Sequence, residues 1–192
     1  MKSSNFHQVL WLSLGQFFTL ALGFVSAAIL SRYFDKAEYG TYRQILYVYT
    51  TLVMIFTAGL PAVFSYFIPR FSMGQGKRLV NKITYIFLIL GAAFSLLLFF
   101  GADVLAGILK NPELAIGIKI FSPFPLFTLP TMGVEGIYTA LRKTKYIAIY
   151  QAINKILMLL CIVLPVILFN GTYRSAIIGW GVASLITFII AM

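Results

Sequence analysis

The chain has 192 residues, 60% of them hydrophobic and 10% charged, and a formal net charge of +10. A soluble domain has about 45–50% apolar and about 25% charged residues, so this composition excludes a soluble globular domain and reads as an integral membrane protein. The basic residues fall between long apolar runs, the pattern of loops facing anionic membrane lipids, and no nucleic acid is expected as a partner.

Six membrane helices are predicted, at about 9–30, 42–68, 83–109, 116–141, 146–169 and 177–192, giving an all-α, polytopic transmembrane bundle. The first run, Val9–Leu30, has 22 residues and no charge. As a helix it would reach about 33 Å, and it is too long for the apolar region of a signal peptide. Gly23 and Ala27 have the small-xxx-small spacing that lets helices approach closely. Gln16 is the notable polar group deep in this run, a candidate for interhelical hydrogen bonding or for lining a cavity.

Ser31–Gln44 follows, with Arg32, Asp35, Lys36, Glu38 and Arg43 interleaved with Tyr33, Tyr39 and Tyr42. It reads as a turn at a membrane surface. The second run is uncharged from Ile45 to Ile68, and Gly59-Leu60-Pro61 predicts a kink in it. Arg70–Lys82 holds Arg70, Lys77, Arg78 and Lys82 without an acid and reads as a flexible loop. Its SMGQGKR lacks the spacing of a phosphate-binding glycine loop, and no strand pattern precedes it.

The third run stays uncharged from Ile83 to Ala102 and ends after Asp103; Asn111-Pro112 starts a turn. The fourth carries Lys119, Glu135 and three prolines, so it must bend or partly unwind, with Pro130 too deep to be a helix-entry proline. Arg142, Lys143 and Lys145 form a second basic connector. The fifth run contains Gln151, Asn154, Lys155 and the lone Cys161, expected as a small buried apolar residue. The sixth is still apolar at Met192, which suggests the first part of a longer protein.

The N-terminus and the second and fourth connectors hold Lys2, Arg70, Lys77, Arg78, Lys82, Arg142, Lys143 and Lys145 and no acid. The other connectors mix base and acid. The positive-inside rule then places the N-terminus in the cytoplasm.

No catalytic constellation, metal cluster or cofactor motif stands out, and an enzyme is not expected. The one histidine, His7, is expected at the surface. Ionisable residues inside membrane spans usually face a cavity or a partner. Glu135 and Lys155 fall at similar depth on consecutive helices and are expected to interact. Asp103 and Lys119 are a weaker candidate pair. Arg32 is expected to reach lipid headgroups. Arg43, just inside the second span, could instead turn inward and present its fork to phosphate oxygens.

The segment AAILSRYFDKAEYGTYRQI (27–45) resembles the signature after the first helix of polysaccharide biosynthesis flippases, the O-antigen and exopolysaccharide transporters of the multidrug/oligosaccharidyl-lipid/polysaccharide exporter superfamily. Leu30, Arg32, Tyr39, Gly40 and Tyr42 match, and Asp35 replaces the usual glycine. Gly59-Leu60-Pro61 before Phe67-Ile68-Pro69-Arg70, and Ala140-Leu141-Arg142 followed by Lys145, also look like that family. The resemblance implies one lobe of a two-lobed flippase in the cytoplasmic (inner) membrane, partnered by a C-terminal lobe outside this sequence, with other polysaccharide assembly proteins as candidate partners. The implied activity is moving a polyprenyl-pyrophosphate-linked oligosaccharide across the membrane by alternating access, in some members with a proton or sodium gradient. On helix depth, Arg43 and Lys155 are the candidates for the pyrophosphate and Gln16, Gln151 and Asn154 for sugars, with Glu135 for ion coupling. The alternatives are a drug or cation exporter of the same superfamily and a non-transport membrane subunit. A buried acid in the first helix would favour the exporter, and Val9–Leu30 has none.

Overall fold

The structure is a computed structural model that describes residues 2–57 and 59–191, with side chains described from Leu10 onward except Met73. The surface placement expected for His7, and the end of the sixth span at Met192, lie outside what is described. The described residues form α-helices and one short 3-10 turn, without strands. The helices are α1 (Lys2–Tyr33), α2 (Lys36–Thr57), α3 (Leu60–Phe67), α4 (Met73–Ile108), α5 (Pro112–Phe121), α6 (Phe124–Thr131), α7 (Gly133–Ala140), α8 (Thr144–Phe169) and α9 (Tyr173–Ala191).

Helices α1, α4, α8 and α9 are each long and apolar enough to cross a membrane. Two further spans are bent pairs: α2 with α3 and the 3-10 turn at 45°, and α5 with α6–α7 at 54°. Counting each bent pair once gives six spans, as the hydropathy pattern predicts. The first bend sits at Gly59, whose φ of 76° is left-handed, and Pro61 opens the helix after it. Glycine takes that conformation without a Cβ clash, and proline is tolerated in a first helical turn.

Two expectations need correction. Ser31–Gln44 is not an open turn: α1 runs to Tyr33 and α2 starts at Lys36, leaving only Phe34 and Asp35 between them. Asp35 caps α2 by accepting the Glu38 backbone N–H at 2.7 Å, which replaces one of the bonds a helix start lacks. Phe34 is buried and meets the Tyr42 ring edge-on at 6.2 Å. The basic segment 70–82 is not a flexible loop either, since α4 begins at Met73. The Gln75 side chain accepts the Ser72 backbone N–H at 3.1 Å, part of a capping box. In the fourth span the main bend falls at Ser122–Pro123. Pro130 lies inside α6 and is buried, two residues before the short interruption at Met132.

The packed part of the bundle is a seam where α2, α4, α5, α6 and α9 meet. Tyr49 lies among Phe94 (5.9 Å, stacked), Phe121 (5.1 Å) and Trp180 (5.3 Å), and Phe56 stacks on Phe94 at 4.5 Å. Membrane helices have no hydrophobic drive toward one another, so dense packing and shared hydrogen bonds hold such a seam. The Tyr49 hydroxyl donates to Thr128 Oγ1 at 3.0 Å.

Helix α1 packs chiefly on α8 and only lightly on α2. The close approach is at Gly15, where a Cβ would stand 3.1 Å from Ala148. Gly23 and Ala27 do not make that contact; both line an open cavity. Cys161 is only partly buried, and its backbone is instead the surface that Gly179 of α9 crosses, with no room there for a Cβ.

Candidate functional site

The light packing between α1 and α2 leaves a groove with α8 as its floor. Its first chamber has a volume of about 400 Å³ and is lined by Gly23, Tyr39, Tyr42, Arg43, Lys155 and Trp180, among others. A second chamber of about 440 Å³ is lined by Gln16, Glu135, Gln151, Asn154 and Lys155. Thr19, Leu20, Lys155 and Met158 line both. The six residues singled out from the sequence therefore share one connected groove.

The local sequence explains their convergence. On α2, Tyr39, Tyr42, Arg43 and Leu46 are spaced at i, i+3, i+4 and i+7, one helical face, and all four line the first chamber. On α8, Gln151, Asn154, Lys155 and Met158 repeat the same spacing, and all four line the second. Lys155 reaches toward α1: its Nζ and Cε stand 3.9 Å from where a Gly23 Cβ would be. A larger residue at 23 would crowd the ammonium.

Glu135 and Lys155 share the second chamber, yet they do not form the expected ion pair. The ion pairs among the described residues are Lys119–Asp103 and Arg174–Glu113. The Lys155 side chain extends toward Gly23 of α1, and Glu135 is exposed at the first turn of α7. Asp103 and Lys119 do pair, at 2.8 Å. Arg32 is exposed at the last turn of α1.

Arg43 and Lys155 thus have no carboxylate within 4.0 Å among the described residues. Gln16 is exposed to the groove. Gln151 Oε1 is buried without a hydrogen-bond partner, a state that costs about 1–3 kcal/mol. Asn154 differs, meeting Thr187 Oγ1 at 3.1 Å.

Sequence reading missed a third chamber of about 180 Å³ behind Asn154 and Glu135, lined also by Thr128, Thr131, Ser184 and Thr187. Each of those hydroxyls donates to a carbonyl one turn back on its own helix. Scattered serines and threonines carry no signal until α6 and α9 are packed together. Tyr39 and Tyr42 also line the groove without having been singled out for it, although they share the helical face of Arg43.

The fold and groove define a multi-pass membrane helix bundle with a polar, cationic cleft. The family described as "Polysaccharide biosynthesis protein" matches residues 6–192. The chain belongs to that family. No curated protein and no solved structure matches it.

Proposed function

We propose that the chain is a membrane-spanning lobe of a flippase that moves a polyprenyl-pyrophosphate-linked oligosaccharide across the cytoplasmic membrane by alternating access. A second lobe would face its groove. The observation that carries this reading is the placement of Arg43 and Lys155, two cations without carboxylate partners among the described residues, around one chamber inside a membrane bundle. Unpaired charge is costly at membrane depth and is retained where it meets a cavity or a ligand. A pyrophosphate supplies the missing charge, and an arginine fork suits its oxygens.

The second chamber fits the sugar end. Gln16 from α1 and Gln151 and Asn154 from α8 line it with amide groups, and amides both donate to and accept from sugar hydroxyls. Glu135 stands on the wall between this chamber and the hydroxyl-lined one behind it, where ion coupling would act. The N-terminus is assigned to the cytoplasm on the charge asymmetry of the connectors.

Cells whose only copy carries Arg43→Ala or Lys155→Ala are expected to lose surface polysaccharide and to accumulate lipid-linked units on the cytoplasmic side. Undiminished export in both strains would remove the two cations from the mechanism.

A further inference from the structure

Helix α2 has a second polar face that the groove does not use. Ala37, Gly40, Thr41 and Gln44 lie opposite Tyr39, Tyr42 and Arg43 and line a separate cup of about 580 Å³. The rest of the cup comes from the α4–α5 junction, with Leu109, Lys110, Asn111 and Glu113, and from the start of α9, with Thr172, Tyr173 and Arg174. Three connectors far apart in sequence thus meet at one end of the bundle. The volume is within the range of small-molecule sites, about 300–1,000 Å³.

The cup has an ordered floor. The Asn111 side-chain amide donates to Thr41 Oγ1 at 2.9 Å and to Gln44 Oε1 at 2.6 Å. Both Asn111 amide hydrogens are therefore used, and Thr41, itself buried, donates to the Ala37 carbonyl. What stays free is the Gln44 amide N–H₂, a pair of donors, and the Asn111 carbonyl, an acceptor. These orientations follow from the hydrogen-bond network. Glu113 is occupied, since Arg174 Nη2 and the Tyr173 hydroxyl both donate to its Oε2 at 2.9 Å.

Lys36 and Lys110, on the rim, have no carboxylate within 4.0 Å among the described residues. Glu38 also lines the rim, and its backbone N–H is held by Asp35. The cup therefore presents two cations unpaired among the described residues, the Glu38 carboxylate, the Glu113–Arg174 ion pair, and adjacent amide donors and acceptor. Among its lining residues only Ala37 and Leu109 are aliphatic.

We propose that this cup binds an acidic saccharide, a site distinct from the groove on the other face of α2. Ring hydroxyls pair with the Gln44 and Asn111 amides and with Glu38, and the sugar's carboxylate lies between Lys36 and Lys110. A neutral sugar lacks the group the lysines attract, and a bare phosphate lacks the hydroxyls the amides read.

The test uses the purified full chain in a non-glycosidic detergent, titrated with glucuronate, glucose and inorganic phosphate at constant ionic strength. Saturable glucuronate binding is expected, with a rise in Tm of roughly 3 °C at saturation and saturation-transfer NMR signals from the ring protons. Glucose and phosphate are expected to give less than a third of that shift. The exposed-lysine variant Lys36→Gln/Lys110→Gln is expected to abolish the glucuronate response, while Lys77→Gln, at the start of α4, keeps it. Three results would each overturn the proposal: no saturable glucuronate response in the unsubstituted chain, an equal response to phosphate, or an unchanged response in the double variant. The first two need no variant to fold.

Discussion

The aromatic seam and the groove are neighbours along helix α2 and share Trp180, and they treat polar groups in opposite ways. In the seam, the Tyr49 hydroxyl is buried, hydrogen-bonded to Thr128 and enclosed by Phe94, Phe121 and Trp180. In the groove, Arg43 and Lys155 line open chambers with no carboxylate partner among the described residues, and Gln16 is exposed there. Composition alone does not separate the two, since both contain tyrosine and polar residues from the same helices. Satisfaction does: the seam completes its own interactions and holds the bundle together, while the groove leaves donors, acceptors and charge for something else to complete.

If that division is right, stability should reside in the seam. Phe94 is fully buried and stacked on two rings, so Phe94→Ala should destabilise the protein by about 3–5 kcal/mol, read by chemical unfolding in detergent. A loss below ~1 kcal/mol would break the comparison. Next, Gly15→Leu should wedge α1 from α8, because a Cβ there already meets Ala148; overpacking of this kind costs about 1–3 kcal/mol. A spin-label distance between the two helices would report the separation. Tyr49→Phe keeps the ring and removes only the bond to Thr128, for an expected loss of about 1 kcal/mol. The smallest effect belongs to the groove: Gln16→Ala should change stability by no more than ~0.5 kcal/mol while reducing export. A marked loss of stability there would mean that the groove is also structural.

The sequence made the apolar spans and both bends legible, because hydropathy, Gly59-Leu60-Pro61 and the prolines of the fourth span act locally. It misled where helices extend past their apolar stretch. Lys36–Glu38 and Lys77–Lys82 look like loop by charge, but Asp35 and Gln75 cap helices that carry those charges into solvent. The groove residues were legible from depth and charge. Their exact pairing was not: which way Lys155 turns depends on the space left at Gly23, a contact across 132 positions of sequence. The third chamber and the cup were invisible for the same reason, each assembled from connectors or helices that only tertiary packing brings together.

The central claim is that the groove supplies cationic partners for a lipid pyrophosphate. The most direct measurement is equilibrium binding of a polyprenyl pyrophosphate, with the matching polyprenol as control, to the purified chain and to Arg43→Ala and Lys155→Ala. The account predicts that the pyrophosphate binds more tightly than the polyprenol and that each substitution erodes that preference roughly tenfold or more, the weight of a hydrogen bond to a charged group. Equal affinity for the two lipids, or a preference that survives both substitutions, would contradict it.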